Sequence, residues 1–201
     1  MQHFKTLASF LDYMQLPRSM HPTINVMIPK GDGHLPCSIK SSPPITTDCY
    51  SISLKKIVKG KLNYGRTKYD FSNGVLIFIG PRQVLQWDES VIFEQKGFSI
   101  NFHEDFLKET DLAQQIKKYG FFSYSVNEAL HLSPKELKQI ESIVSNIEIE
   151  YQNKEDKFSK EIIISQLSTL LKYANRFYER QFLNRKELSI NMLEQFKKYL
   201  D

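Results

Sequence analysis

The sequence predicts an α+β fold in which a β-rich first half is followed by a helical second half. Before about residue 101, apolar and polar residues alternate in short segments that end at glycine or proline, as in antiparallel strands. Beyond that point, apolar residues recur at spacings of three and four, as in helices. Several short strands separated by turns are typical of a β-sandwich or small barrel. We therefore expect a β domain at residues 1–110 and a helical region at residues 111–201.

The composition is that of an ordinary folded protein. Of the 201 residues, 41% are hydrophobic and 25% are charged, and the net charge of +4 is spread along the chain. A nucleic-acid-binding module usually carries a denser basic excess on one face. Cys37 and Cys49 fit neither a disulfide scaffold nor a metal motif. Because we find no signal peptide and no apolar run of membrane length, we expect a cytoplasmic protein with no membrane contact.

The first elements are an amphipathic helix and two strands. Residues 4–15 place apolar side chains on one side of a helix, and Pro17 ends it. Residues 23–28 are expected to form a strand, followed by a stretch rich in turns. Residues 50–55 alternate apolar and polar side chains, which predicts a strand with one face buried and the other in water.

Residues 61–71 predict a β-hairpin. Gly65 and Arg66 suit a two-residue type II′ turn, in which Tyr64 faces Thr67 across the strands. Residues 75–79 are apolar on both faces, as in a strand covered on both sides. Residues 83–87 and 97–102 complete the set of strands. The hairpin face directed inward has five members: Leu62, Tyr64, Thr67, Tyr69 and Phe71.

The second half begins with short helical pieces between residues 104 and 119. Ser133, Pro134 and Glu136 then form a capping box with proline at the first helical position. A longer helix is expected at residues 159–182, with a separate amphipathic segment at residues 190–200. The first of these helices carries a seam of heptad spacing: Leu137, Ile140, Val144, Ile147 and Tyr151.

The helices predict a homodimer. The helix at residues 159–182, which includes Leu167, carries apolar residues in two neighbouring stripes. A single β domain covers one stripe per helix, so the surplus requires another surface. We expect one helix to pack on the β domain and the seam or Leu167 to meet a second copy. The alternative is that both helices pack on each other and on the β domain within one chain.

The sequence offers little catalytic chemistry. The five histidines are too far apart for any local metal pair, and phosphate loops and nucleophile elbows are missing. Glu104 and Asp105 are adjacent, so they would diverge on a helix, and we interpret them as first-turn residues. We expect no catalytic residues, no metal and no cofactor.

Three segments of the first half carry a family resemblance. They are YSISLKK at residues 50–56, GKLNYGR at 60–66 and GVLIFIGPRQVLQW at 74–87. They resemble the N-terminal cupin-like domain of AraC-type bacterial transcription regulators. Two later segments, FFSYSVNEALHLSP at 121–134 and NRFYERQFLNR at 175–185, resemble a subgroup of the same family.

The resemblance implies a fold and a function. It implies a jelly-roll barrel that senses a small-molecule effector, and helices behind it that form the homodimer. In such regulators a C-terminal helix-turn-helix region binds DNA. We expect that region to be missing from this chain, whose residues 190–200 resemble the connecting helix, so DNA would be bound only in the intact regulator.

Two rival functions are considered. A cupin enzyme would hold a metal through histidine and glutamate ligands, but the corresponding positions are Gly60, Leu62, Thr67 and Gln86, which supply no ligand set. A stand-alone carbohydrate-binding module would not need so long a helical half. We therefore expect a regulator rather than an enzyme.

The resemblance also directs attention to one pocket. If the hairpin face points into the barrel, an effector would contact Tyr64, Thr67 and Tyr69, together with Gln86 from the facing strand. The alternative is that these side chains fill the barrel as core. The sequence does not fix the identity of the effector.

Overall fold

The computed structural model describes residues 1–29, 43–59, 62–64, 67–68, 75–87, 92–122 and 130–200. Over these residues the chain forms two five-stranded sheets and four α-helices, which is an α+β fold as predicted. The strands form two separate sheets, and no closed barrel is found in the described part. None of the helices described is long and apolar enough to cross a bilayer.

Sheet I has the strand order β1-β3-β8-β5-β6. Its strands are β1 Gln2–Phe4, β3 Ile45–Thr47, β5 Leu62–Tyr64, β6 Thr67–Lys68 and β8 Leu85–Trp87. Sheet II has the order β10-β7-β4-β9-β2. Its strands are β2 Ile24–Met27, β4 Cys49–Lys59, β7 Val75–Ile79, β9 Ile92–His103 and β10 Leu130–His131.

Four α-helices accompany the sheets. They are α1 Leu7–Tyr13, α2 Leu112–Gln115, α3 Pro134–Gln152 and α4 Ser159–Leu200. The predicted capping box begins α3: Ser133 Oγ accepts the backbone N–H of Glu136, and a Glu136 carboxylate oxygen accepts the N–H of Ser133 at 2.8 Å. Because both orphan donors are satisfied, the start of this helix is fixed by local sequence.

One face of sheet II packs on the helices. Along β4, Tyr50, Ile52 and Leu54 point to this side, and the same alternation continues on β7 and β9. Residues on both sides of the predicted 110/111 boundary share this cluster, so the core is continuous there. The helical side of the cluster includes Ile140, Val144, Ile147, Ile163, Leu167, Leu170, Leu171 and Ala174.

The opposite face of sheet II meets sheet I along part of its width. Val75 and Ile77 of β7 pack with Ile45 of β3 and Leu85 of β8. Helix α1 closes this cluster from the side. Residues 75–79 are therefore covered on both faces, as their uniformly apolar sequence predicts.

Three expectations about the elements are wrong. Phe4 lies in a strand rather than in the first helix, and β1 pairs in parallel with β3 although an antiparallel arrangement was expected. The long helix does not end at residue 182 but continues as one helix to Leu200. The residues between 182 and 190 include no proline or glycine, so nothing in them breaks the backbone hydrogen bonds.

Candidate functional site

Five polar side chains are buried on the face of sheet II opposite to α3 and α4. We call this set the polar floor, and it consists of Asn25, Ser51, Ser53, Ser99 and Asn101. Strand register brings them together. Asn25 and Ser51 both pair with Asn101, and Ser53 pairs with Ser99. The floor therefore spans β2, β9 and β4, three strands that are consecutive in the sheet.

Hydrogen bonds connect most of the polar floor. Asn101 Nδ2 donates to Ser99 Oγ at 3.1 Å, and Ser99 Oγ lies 3.1 Å from Ser53 Oγ. Ser53 Oγ in turn lies 3.5 Å from Ser51 Oγ. Buried polar groups in proteins are usually paired in this way. A linked row of hydroxyl and amide groups can donate to or accept from a bound molecule.

Asn25 is the exception within the polar floor. Its side chain is only 3% exposed, and its Oδ1 has no hydrogen-bond partner among the described residues. An unpaired buried carbonyl oxygen costs free energy, because it has lost its hydrogen bonds to water. A hydrogen-bond donor from a ligand would remove this cost.

The predicted ligand residues Tyr64 and Thr67 lie on β5 and β6, at one edge of sheet I. Tyr64 pairs with Thr67 on the neighbouring strand, as the predicted hairpin requires, and with Leu85 on the other. Leu85 packs against Val75 and Ile77 of sheet II. The register therefore places Tyr64 and Thr67 in the same row of sheet I as Leu85, which is the member of that row known to pack on sheet II.

Gln86 does not belong with these two residues. It is exposed and pairs with Asn63, so it holds a position on the opposite face of sheet I. Consecutive residues of a strand point to opposite faces, and Gln86 follows the inward-facing Leu85. The prediction that Gln86 lines the pocket with Tyr64 is therefore wrong. Tyr69, the fourth predicted ligand residue, lies outside the described residues.

The predicted dimer seam is buried within the chain. Ile140, Val144, Ile147 and Leu167 are at most 1% exposed and belong to the cluster that joins α3, α4 and sheet II. Their role as an exposed dimer contact is thus corrected. The physical reason is that sheet II presents a wide apolar face, and both helices are needed to cover it.

Leu137 and Tyr151, at the two ends of this seam, are partly buried against the same cluster. The Tyr151 hydroxyl also lies 2.9 Å from Ser19 Oγ and accepts the N–H of Met20 at 2.9 Å. Tyr151 thus ties the segment that precedes β2 to the end of α3. These contacts are all made inside one chain.

The described histidines act in local structure. His103 Nδ1 accepts the N–H of Asp105 at 3.1 Å and so caps a 3₁₀ turn. His3 contacts Thr46 and Asp48, and His21 contacts Glu155. Among the described residues no three His, Cys, Asp or Glu side chains converge as a metal-ligand set. Of the cupin metal positions considered above, Gly60 lies outside the described part.

Among the described residues, a groove and a smaller cavity lie on the helical side of the molecule. The groove of about 700 Å³ runs between residues 108–115 and the first half of α4, and it is lined by four lysines and three acidic residues together with uncharged side chains. A cavity of about 230 Å³ lies beside His21, Phe106 and Tyr151. The mixed charges of the groove favour no single ligand class.

Sequence reasoning missed the polar floor. The serines at positions 51 and 53 were interpreted as the wet face of a half-buried strand, and this is wrong because both are buried. Because serine is usually exposed in proteins, the alternation of residues 50–55 carries no sign that this face is buried.

Comparison of the sequence with models of known protein families gives no match, and comparison with curated proteins finds no similar protein. The resemblance to AraC-type regulators therefore rests on the sequence segments quoted above.

Proposed function

We propose that this chain is the effector-sensing and dimerisation part of an AraC-type transcription regulator. A small molecule binds between the two sheets, on the polar floor, and its presence is transmitted through sheet II to α3 and α4. The observation that carries the proposal is the buried polar floor with its unpaired Asn25 oxygen. The cupin-like character of the β domain belongs to the same proposal.

The chemistry of the polar floor supports binding rather than turnover. Its described side chains are hydroxyls and carboxamides, which position a ligand through hydrogen bonds. A nucleophilic serine needs an adjacent general base, and the hydrogen-bond partners of Ser53 are other serines. Ligand sensing without catalysis is therefore the function that this set of groups favours.

Sheet II provides a route from ligand to helices. Its strands carry the polar floor on one face and the apolar cluster with α3 and α4 on the other. A ligand that bridges β2, β9 and β4 would restrain their relative twist, and the helices rest on the same strands. Differential contacts of this kind are what a coupling between two sites requires.

Homodimerisation remains part of the proposal, but through another surface than the predicted seam. Large apolar side chains are exposed near the turn between the two helices, namely Ile149 on α3 and Phe158 and Ile162 at the start of α4. In this proposal, DNA is bound by the helix-turn-helix domain of the intact regulator. The cytoplasm is the compartment in which such a regulator acts.

A fusion assay tests this function. The chain is joined to the N-terminus of a DNA-binding domain that represses a reporter only as a dimer, with the unfused domain as control. We expect repression by the fusion and a change in repression when metabolite fractions are added. Repression no greater than that of the unfused domain would exclude dimerisation, and indifference to every fraction would exclude effector sensing.

A further inference from the structure

We propose that Glu136, Arg180 and Gln181 form a clamp that fixes the rotation and tilt of α4 where this helix passes the start of α3 and strand β10. The clamp thereby sets the path of the remainder of α4, which continues to Leu200. This inference goes beyond the proposed function, because its test needs neither an effector nor DNA.

Glu136 uses both oxygens of its carboxylate. Its Oε2 accepts the backbone N–H and the hydroxyl of Ser133, each at 2.8 Å, and its Oε1 accepts a hydrogen bond from Nη1 of Arg180. The Glu136 side chain is only 12% exposed. Hydrogen bonds between charged groups are about twice as strong as neutral ones, and their geometry is well defined. The residue that caps α3 therefore also holds α4.

Gln181 makes the second contact of the clamp. Its Oε1 accepts the backbone N–H of His131 at 3.0 Å. His131 belongs to β10, the two-residue strand at one edge of sheet II, where backbone groups have no further strand to pair with. Consecutive side chains leave a helix about 100° apart. Arg180 and Gln181 thus hold α4 in two directions, and together they fix its rotation about its own axis.

The apolar contacts of this part of α4 have another role. Tyr178 packs edge-on against Phe121 with the ring centres 5.7 Å apart, and Phe182 is partly buried against the same cluster. Apolar contacts hold the helix on the body of the molecule, but they are non-directional. Packed helices can shift by 1–2 Å between alternative positions. The directional bonds of the clamp select one of these positions.

The length of α4 makes the clamp consequential. From Gln181 to Leu200 the helix runs about 28 Å, at 1.5 Å per residue. A tilt of about 10° at the clamp would move the far end of a straight helix of this length by about 5 Å. A change in two side-chain contacts is therefore enough to redirect a long segment of the chain.

The test measures the distance between α3 and the end of α4 in the 201-residue chain. Spin labels are placed on cysteines introduced at Asn146, an exposed position of α3, and at Lys198, in a Cys37→Ser background in which Cys49 is buried. Pulsed electron paramagnetic resonance gives the distribution of distances. We expect a single narrow distribution in the parent chain.

Two variants open the clamp. Arg180→Gln removes the cation, and Glu136→Gln removes the negative charge but keeps an acceptor for Ser133, because glutamine also completes a capping box. The matched control is Glu179→Gln, which removes a charge whose partner, Asn175, lies on the same helix. We expect the width of the distribution to increase about twofold in either clamp variant, no further in the double variant, and not at all in the control.

Each result decides the proposal. Circular dichroism first shows that the variants are folded, and Arg180→Gln is expected to fold because its side chain is 44% exposed. Should Glu136→Gln unfold, Arg180→Gln alone decides. A distribution as narrow in folded Arg180→Gln as in the parent would overturn the clamp. Equal broadening in Glu179→Gln would overturn it too, because any loss of charge on α4 would then have the same effect.

Discussion

Asn25 and Asn101 lie directly opposite each other on β2 and β9, buried at 3% and 2% exposure, on the face of sheet II opposite to α3 and α4. Asn101 donates to Ser99, whereas Asn25 Oδ1 has no partner among the described residues. The two carboxamides lie at paired positions of the sheet, but only that of Asn101 has a hydrogen-bond partner among the described side chains. A hydrogen bond from a ligand would therefore contribute more binding free energy at Asn25 than at Asn101.

Replacement of Asn25 by leucine should not destabilise the unliganded chain. The variant removes an unpaired buried acceptor, so we expect the free energy of unfolding to stay unchanged or to rise by about 1 to 2 kcal/mol. Urea denaturation followed by circular dichroism measures it, with Asn146→Leu as the exposed control. A loss of more than about 1 kcal/mol would show that the Asn25 oxygen is already paired in the free protein.

Gln86 should be dispensable for the effector response. Its position on the outer face of sheet I separates it from the inter-sheet space. For any effector identified by thermal shift, Gln86→Ala should leave Kd within twofold, whereas Ser53→Ala should raise it severalfold. A tenfold rise in Kd for Gln86→Ala, measured by titration calorimetry, would show that this residue contacts the ligand.

Introduction of glutamate at Val144 or Leu167 should unfold the chain rather than produce folded monomers. Both side chains are at most 1% exposed in the cluster between helices and sheet. A buried, unpaired carboxylate together with the lost packing costs on the order of 3 kcal/mol or more. Circular dichroism and sedimentation velocity measure the outcome.

The matched control for these variants is Asn146→Glu on the same helix α3. Asn146 is exposed, so the variant should stay folded, with a change in the free energy of unfolding within about 0.5 kcal/mol. Folded, soluble monomers from Val144→Glu, starting from a dimeric parent, would contradict the burial of this seam within one chain.

Loss of the capping hydroxyl at Ser133 should weaken the start of α3. Ser133→Ala leaves the N–H of Glu136 without its acceptor, and such a change typically costs about 1 kcal/mol. The measurement is chemical denaturation. Ser142→Ala, on the exposed middle of the same helix, should be neutral, and equal effects of the two variants would argue against the capping box.

The thiol of Cys49 should be inert and should limit stability only in alkaline solution. Desolvation by burial raises its pKa from the ordinary 9.0 to about 11. The pKa of the thiol is higher in the folded chain than in the unfolded chain. The contribution of the protonated thiol to the free energy of unfolding is therefore complete below about pH 9. It declines by about 1.4 kcal/mol per pH unit as the pH rises from 9 to 11.

Two measurements check this prediction. In a Cys37→Ser background, iodoacetamide at pH 8 should modify the folded chain at least about 100-fold more slowly than the unfolded chain. The alkaline decline in the free energy of unfolding should be smaller in Cys49→Ala than in the parent. Rapid alkylation of the folded chain, or identical pH profiles, would show that the thiol is accessible.

Several features of the fold could be predicted because they depend on neighbours in the sequence. The capping box at Ser133 sets the start of α3 through groups three residues apart. The pairing of Tyr64 with Thr67 follows from the two-residue connection between their strands. The uniformly apolar segment 75–79 required cover on both faces, and two clusters supply it.

The sequence by itself determined which residues share a face, and only the tertiary structure decided what covers each face. The alternation that contains Ser51 and Ser53 is the same whether water or a second sheet covers these residues. Likewise, the heptad spacing that includes Val144 is the same whether the helix packs on a second copy of the chain or on sheet II. Periodicity arises from the geometry of one element. Cover arises from contacts between residues far apart in the chain, as between Asn25 and Asn101 or between α3 and sheet II, and no local spacing records them.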